Sequence, residues 1–249
     1  MSQFKRITNF IFPWSVKKGE ADKALSDKLS STLEEVCVFP LPNVVLFPGT
    51  VLPLHIFEDR YKLMTDELLR RKLPLAMSFS KPSPDGEMNL SAICGAGKVN
   101  LMESFPDGRK NIFVEGMKRL RIVKYLQKNP FITAMAELIP DIPFSTEADE
   151  KKYHRDLMTL VRRWIFLSPQ LDDAYLQYID FFPRPHFLAD FIAFYFLPST
   201  DEKQKFLEMT NQKERVEKVM TFIGDNIKVL ENTKARQIPD LISSSHALH

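Results

Sequence analysis

Residues Val36–Tyr61 read VCVFPLPNVVLFPGTVLPLHIFEDRY, and this stretch decides the fold. Two short apolar runs, Val36-Cys37-Val38-Phe39 and Val51-Leu52-Pro53-Leu54-His55-Ile56, flank a proline-rich loop from Pro40 to Gly49. Short runs rich in β-branched and aromatic residues, bounded by Pro and Gly, predict strands. Pro53 sits inside the second run. Proline cannot donate to a ladder, so this strand belongs at an edge or a bulge. After Phe57 the period changes. Glu58 and Asp59 open a helix that runs through Arg71, with Tyr61, Met64, Leu68 and Leu69 at helical spacing.

Strand signals continue toward the C-terminus. Leu75 to Ser80 is a further strand, followed by a loop rich in Pro, Ser, Asp and Gly. Lys98 to Phe105 and Lys110 to Glu115 form a hairpin around Pro106-Asp107-Gly108-Arg109, because Asp and Gly both tolerate positive φ. Strands at Arg119 to Tyr125 and Phe131 to Leu138 complete a small barrel or sandwich interrupted by one helix. After Pro143 the chain reads as helix. Thr146 with Asp149 resembles a capping box, and Tyr153, Leu157, Leu160, Val161 and Trp164 make one apolar stripe. Further helices are expected over Asp173 to Phe181, over Pro185 to Phe196, and from starts at Ser199 with Glu202 and Asn211 with Glu214. The last carries the stripe Val216, Val219, Met220, Ile223, Ile227 and Leu230, and Pro239 is expected to break it. The reading is α+β: an N-terminal extension over 1–33, a β-barrel over 34–142, a helical bundle over 143–235 and a tail over 236–249. No internal repeat is present.

The extension places Lys5, Arg6, Lys17 and Lys18 around Phe4, Ile7, Phe10, Phe12 and Trp14, with no acid before Glu20. Such an arm packs on its own body, or docks on a partner or an anionic membrane surface. Pro13 interrupts its apolar run and no small-residue cleavage site follows, which argues against a secretory signal. No run approaches the roughly 18 apolar residues of a membrane span, so the cytoplasm is the expected address. With 249 residues, 44% hydrophobic and 27% charged, the chain has ordinary globular chemistry and enough length for a sizeable core. A net charge of +2 gives no molecule-wide pull toward nucleic acid or membrane.

The stretch Phe39-Pro40-Leu41-Pro42-Asn43-Val44-Val45-Leu46-Phe47-Pro48-Gly49, running into Val51 to Tyr61, resembles the opening of the N-terminal domain of Lon proteases. Five further segments agree with that family in order. Cys94-Gly95-Ala96-Gly97-Lys98-Val99 is similar to its "vGtva" strand, and Phe105-Pro106-Asp107-Gly108-Arg109 to its hairpin turn. Val114 to Ile122 is similar to "veG..R.ri". Leu188 to Ala193 and Glu202 to Glu208 match its later helices. The resemblance spans about Val36 to Leu230. It implies a PUA-like pseudo-barrel followed by a helical bundle, in a domain associated with recognising protein substrates. The family's ATPase and Ser-Lys peptidase segments lie downstream of the matching region, and this sequence ends before them.

The chemistry read from the residues is that of a binding protein without catalytic, cofactor or metal sites. Lon-type cleavage needs a serine activated by lysine, and that segment is missing. Gly95-Ala96-Gly97-Lys98-Val99 lacks the spacing and the hydroxyl of a phosphate-cradling loop. Cys37 and Cys94 form no CxxC pair, and Cys94 reads as a buried structural residue rather than a nucleophile served by His55. The histidines show no metal-ligand spacing, and His186, near a helix start, reads as a surface or capping residue. The candidate polypeptide-binding residues are Phe39, Phe47, Leu52, Phe57, Glu58, Arg60 and Tyr61. Most of the apolar ones are expected in the core, leaving one or two for a partner, with strand-edge pairing as an additional mode. The alternative is RNA binding, since PUA-like barrels include RNA binders. Arg109, Lys110, Lys118, Arg119, Arg121, Lys124 and Lys128 follow one another along consecutive strands, although alternation sends Lys118 and Arg119 to opposite faces.

Overall fold

The computed structural model describes residues 33–83, 88–169, 171 and 179–245. The chain forms two compact units, one made of residues through Pro140 together with Leu197–Glu208, the other of Asp141–Phe196 and Met209 onward. The first is a barrel. Its elements are β1 (Glu34–Leu41), β2 (Val51–Ile56), α1 (Asp59–Arg71), β3 (Leu75–Pro82), β4 (Met88–Leu90), β5 (Ile93–Ser104), β6 (Lys110–Gln127) and β7 (Ile132–Leu138). Strands β1, β7, β6, β5 and β3 pair in that order, and parallel pairing of β1 with β3 closes the ring; every other pairing is antiparallel. A closed ring of few strands has a narrow interior, which small side chains fill. Accordingly Ala76, Ala96, Ala134, Ala136 and Cys94 share the core with Val36, Val38 and Leu120.

The strand pattern read from the sequence is present, with one fusion, an additional short strand β4 in the expected loop, and a β5 that begins at Ile93 ahead of the expected Lys98. The runs expected at Lys110–Glu115 and Arg119–Tyr125 are a single strand, β6. Its first part lies between β5 and β2, and its second part meets β7. The chain changes neighbours at a bulge where Gly97 faces Gly116 and Ala96 faces Lys118, which turns Met117 out to solvent. The Asp-Gly hairpin forms as expected. Gly108 has φ +84°, and Phe105 and Arg109 are joined by a backbone bond of 2.9 Å.

Between β1 and β2 the loop turns inward, with Val45, Leu46 and Phe47 buried. Phe47-Pro48-Gly49-Thr50 is a tight turn with proline second, glycine third at φ +78°, and the Thr50 N–H donating to the Phe47 carbonyl at 3.2 Å. The Thr50 hydroxyl also donates to that carbonyl, at 2.7 Å. This loop lies so close to the sheet that two glycines beneath it have no room for a side chain. A Cβ on Gly95 would stand 1.8 Å from the Leu46 carbonyl oxygen, and one on Gly116 would stand 2.1 Å from that of Phe47. The glycine-rich run 95–99 is therefore a packing surface within β5.

Burial pushes the Cys94 thiol up to about 12 and that of Cys37 to about 12 as well, the latter helped by Glu35 and Glu67. Both thiols are held protonated by the fold, against an ordinary value of 9.0. The stability this contributes is whole below the unfolded value and is lost as pH rises toward about 12. At pH 8 both cysteines are expected to react with a thiol reagent only as fast as the barrel unfolds. A fast phase in the native protein would contradict their burial.

Helix α4 (Thr200–Leu207) belongs to the barrel unit, so it interrupts the single bundle expected over 143–235. The reason lies in its inward side chains. Phe206 meets Phe47 at 5.8 Å between centroids, and the Gln204 amide donates to the Ile93 carbonyl at 3.0 Å. Arg119 reaches across to donate to the Leu207 carbonyl at 2.9 Å, satisfying an end-of-helix acceptor.

The second unit contains α2 (Glu147–Leu167), α3 (Pro185–Phe196) and α5 (Gln212–Ser245). The expected helix starts are where the sequence placed them. Thr146 accepts from Asp149 N–H at 3.1 Å, Ser199 from Glu202 N–H at 3.1 Å, and Asn211 from Lys213 and Glu214 N–H at 3.0 and 3.3 Å. Trp164 packs edge-on against Phe196 and Phe222. Two expectations are corrected. His186 is buried in the first turn of α3 against Phe187, rather than at the surface, because α3 is apolar on nearly every side. Helix α5 runs through Pro239 to Ser245, so the proline does not break it. A proline removes one intrahelical bond, and the turns on either side keep theirs. The arm expected over 1–33 (except Leu33) and most of the helix expected over Asp173–Phe181 lie outside the described residues.

In the same unit a charge is fully enclosed. Arg215, on α5, is 0% exposed and holds Asp141 bidentately at 2.9 and 2.5 Å, with Asp190 of α3 3.2 Å from its Nε. It also donates to the carbonyls of Met209 and Thr210. Burial works against this charge, but Asp190 and Asp141 outweigh it and raise the pKa of Arg215.

Candidate functional site

The seven candidate residues separate by burial. Phe39, Phe47, Leu52 and Tyr61 face the core. Phe39 and Tyr61 meet edge-on at 4.3 Å, and burial pushes the Tyr61 phenol up despite the opposing charge of Arg60, whose guanidinium lies over the ring at 4.5 Å. Phe57, Glu58 and Arg60 remain at the surface, and Phe57 is 61% exposed. Glu58 occupies the N-cap position of α1. Its side chain makes no cap bond and instead pairs with Arg60 at 2.8 Å.

Phe57 has company that the sequence did not point to. Its ring stacks on His55 at 6.2 Å, and His55 in turn meets the edge of Phe105 at the hairpin tip, also at 6.2 Å. The Arg109 guanidinium lies 5.4 Å from the Phe105 ring. A polar row fixes His55 from beneath. Its Nδ1 is 2.7 Å from Asn111 Oδ1, and the Asn111 amide donates to Glu103 at 3.0 Å. The register explains the row, since His55 faces Asn111 across β2–β6 and Asn111 faces Glu103 across β6–β5. The next row in the same direction is Pro53, Phe113 and Asn100, and the next Val51, Glu115 and Lys98. Three strands therefore present one outward face with a mostly apolar centre and an aromatic end.

Most charges around the aromatic end pair among themselves, while Glu103 is held by the Asn111 amide. Glu58 holds Arg60, Asp59 holds Lys62 at 3.0 Å, and Asp107 holds Arg109 at 2.6 Å. The Arg109 backbone N–H and then its guanidinium keep the Asp107 carboxyl below the usual carboxylate range. Lys62 also reaches the Asp107 carbonyl, which ties α1 to the hairpin tip. Glu103 could have been placed opposite Asn111, with Phe105 at the turn, from the Asp-Gly hairpin alone. The pairing of β2 with β6 has no such local signal, so the convergence of His55 and Phe57 on them did not show in the sequence.

The cations of the nucleic-acid alternative do not form one patch. Arg119 is buried against α4, Lys118 binds Glu34 at 2.5 Å, and Arg121 pairs with Glu137 at 3.1 Å. Lys110 pairs with Asp66 and Arg109 with Asp107. Lys124 and Lys128 stand exposed toward the far end of β6. His55 and Cys94 are not neighbours either. Their partners on β6 are Asn111 and Leu120, which places them roughly 30 Å apart along the strand. Among the described residues no helix is long and apolar enough to cross a membrane, and no cluster of His, Cys, Asp and Glu is arranged to hold a metal ion.

The family model of the ATP-dependent protease La (LON) substrate-binding domain matches residues 35–225. The Lon protease of Dictyoglomus thermophilum is 29% identical over 204 residues, covering 80% of this chain and 25% of that protein. That of Rhizobium meliloti is 27% identical over 218 residues, covering 84% and 27%. The chain thus spans about a quarter of the length of these curated relatives. Among solved structures, the N-terminal domain of a Mycobacterium avium complex Lon protease superposes with a TM-score of 0.58 at 16% identity, covering 77% of this chain and 99% of that one. The Lon N-terminal domain protein from Xanthomonas campestris gives 0.54 at 18% identity, covering 76% and 98%. At these identities the likeness is one of fold.

Proposed function

We propose, from the premise that this chain belongs to the Lon substrate-binding domain family, that it recognises polypeptides non-covalently and does not itself cleave them. The observation that carries this reading is the aromatic group at the end of the three-stranded face, in which Phe57 and His55 are exposed and Phe105 is half-buried. Aromatic rings anchored by neighbours lose little freedom on binding, and they supply large contact area to an apolar side chain. The anchor is apolar, and the charges nearest it, Glu58 with Arg60 and Asp107 with Arg109, are paired. The contact should therefore depend weakly on salt, unlike binding to phosphates.

Phe57 is the anchor to test. In the full chain, Phe57→Ser is expected to weaken binding of a reduced, carboxymethylated polypeptide by about tenfold or more, read by fluorescence anisotropy. Val229→Ser, at another exposed apolar position 64% open to solvent, should change nothing. Unchanged affinity in Phe57→Ser would sink the assignment of this face.

A further inference from the structure

Strand β2 is bordered on one side only. It pairs with β6 from Val51 opposite Glu115 to Ile56 opposite Lys110, and among the described residues no other strand flanks it. Which of its backbone groups point outward follows from the turn that precedes it. Gly116 donates to the Thr50 carbonyl at 2.8 Å and accepts from Gly49 N–H at 2.8 Å, so Thr50 faces β6. Alternation then turns Leu52, Leu54 and Ile56 toward β6, and Val51, Pro53 and His55 away from it. The position of Pro53 agrees, since its missing N–H falls on the side where no ladder bond is lost. The outer edge thus offers the N–H groups of Val51 and His55 and the carbonyls of Val51, Pro53 and His55. No backbone group among the described residues bonds to them.

We infer that the outer edge of β2 takes an extended polypeptide segment as an added strand, with alternate side chains of the segment lying over Pro53 and the aromatic end. The inference rests on the polypeptide-binding reading and gives it a mode. One observation selects this occupant. A row of backbone donors and acceptors at strand spacing is complementary to another extended backbone. Pro53 withholds the central donor, which limits the number of ladder bonds and keeps the contact short-lived. The same gap discourages continuous pairing between copies of the chain.

The test uses the full chain and an end-blocked, fluorescently labelled nonapeptide that alternates Leu with Ser. Two further versions carry N-methyl groups, one on the Leu nitrogens and the other on the Ser nitrogens. An added strand turns only one of these sets toward β2. One methylated version is therefore expected to bind at least tenfold more weakly while the other matches the parent. The set that matters also gives the strand direction: Leu for antiparallel, Ser for parallel. Equal behaviour of the two methylated peptides, whether both bind or both fail, overturns strand addition. In that case, loss of parent-peptide binding in Phe57→Ser would show that the aromatic face still binds polypeptide by side chains alone. Failure of the parent peptide and of the carboxymethylated polypeptide alike would overturn both readings.

Discussion

Replacing Arg215 with methionine is expected to cost the helical unit about 3–5 kcal/mol, the range found when one partner of a buried ion pair is removed. Arg215 is fully enclosed and Asp190 is 1% exposed, so neither charge has water to turn to. Methionine keeps the volume and the apolar stem contacts. What it removes is the guanidinium that stands between Asp141 and Asp190 and caps the carbonyls of Met209 and Thr210. Asp141→Asn should cost less, because that side chain is 23% exposed and the amide still accepts one hydrogen bond. For a unit of this size each kcal/mol moves the melting midpoint by roughly 4–8 °C, so the Arg215 variant should melt more than about 10 °C lower. A thermal melt followed by circular dichroism decides it. A shift of less than a few degrees would mean that the apolar packing of α5 carries the unit and the charge cluster contributes little.

The second large effect is expected at the two glycines under the Val45–Phe47 loop. Gly95→Ala and Gly116→Ala each place a methyl group against a backbone carbonyl, at 1.8 and 2.1 Å. Both carbonyls are backbone groups that cannot swing aside as a side chain could, and Phe47 O also accepts the Thr50 hydroxyl and backbone N–H. Each substitution should cost about 3 kcal/mol, the upper end for overpacking. Both clashes are relieved by lifting the same loop. The double variant should therefore cost clearly less than the sum, a non-additivity readable from urea unfolding. Gly224→Ala is the control. Its added Cβ meets nothing within 4 Å, and on a helix it should stabilise by about 1 kcal/mol. The loop also matters for recognition. Gly116 pairs with Gly49 and Thr50 where β2 begins, so lifting it releases the strand whose edge and aromatic end form the candidate site.

Much of this architecture was legible in local sequence. Period-two runs bounded by Pro and Gly gave the strands, and Thr146, Ser199 and Asn211 marked helix starts that their side chains do cap. Pro53 announced an edge or a bulge, because a missing N–H is a property of the residue and not of its surroundings. These signals are readable because the interactions behind them span only a few residues.

Pairing between distant segments was not readable. Nothing near His55 says that it will face Asn111 fifty-six residues later, so the aromatic group that makes Phe57 a plausible anchor needed the fold. Helix α4 reads like its helical neighbours, yet its Phe206 and Gln204 find their partners on the barrel, at Phe47 and Ile93. Arg215 follows the same rule. On α5 it is one more charged residue beside an apolar stripe, and only the approach of Asp141 and Asp190 makes burying it tolerable. The sequence by itself determined most of the strands and helices, where the capped helices start, and that the Pro53 strand stands at an edge or a bulge, since those are set by backbone dihedral preference and side-chain period. The tertiary structure alone decided which aromatics reach solvent together, which glycines lack room, and which charges are enclosed, because each depends on contacts between residues far apart in the chain.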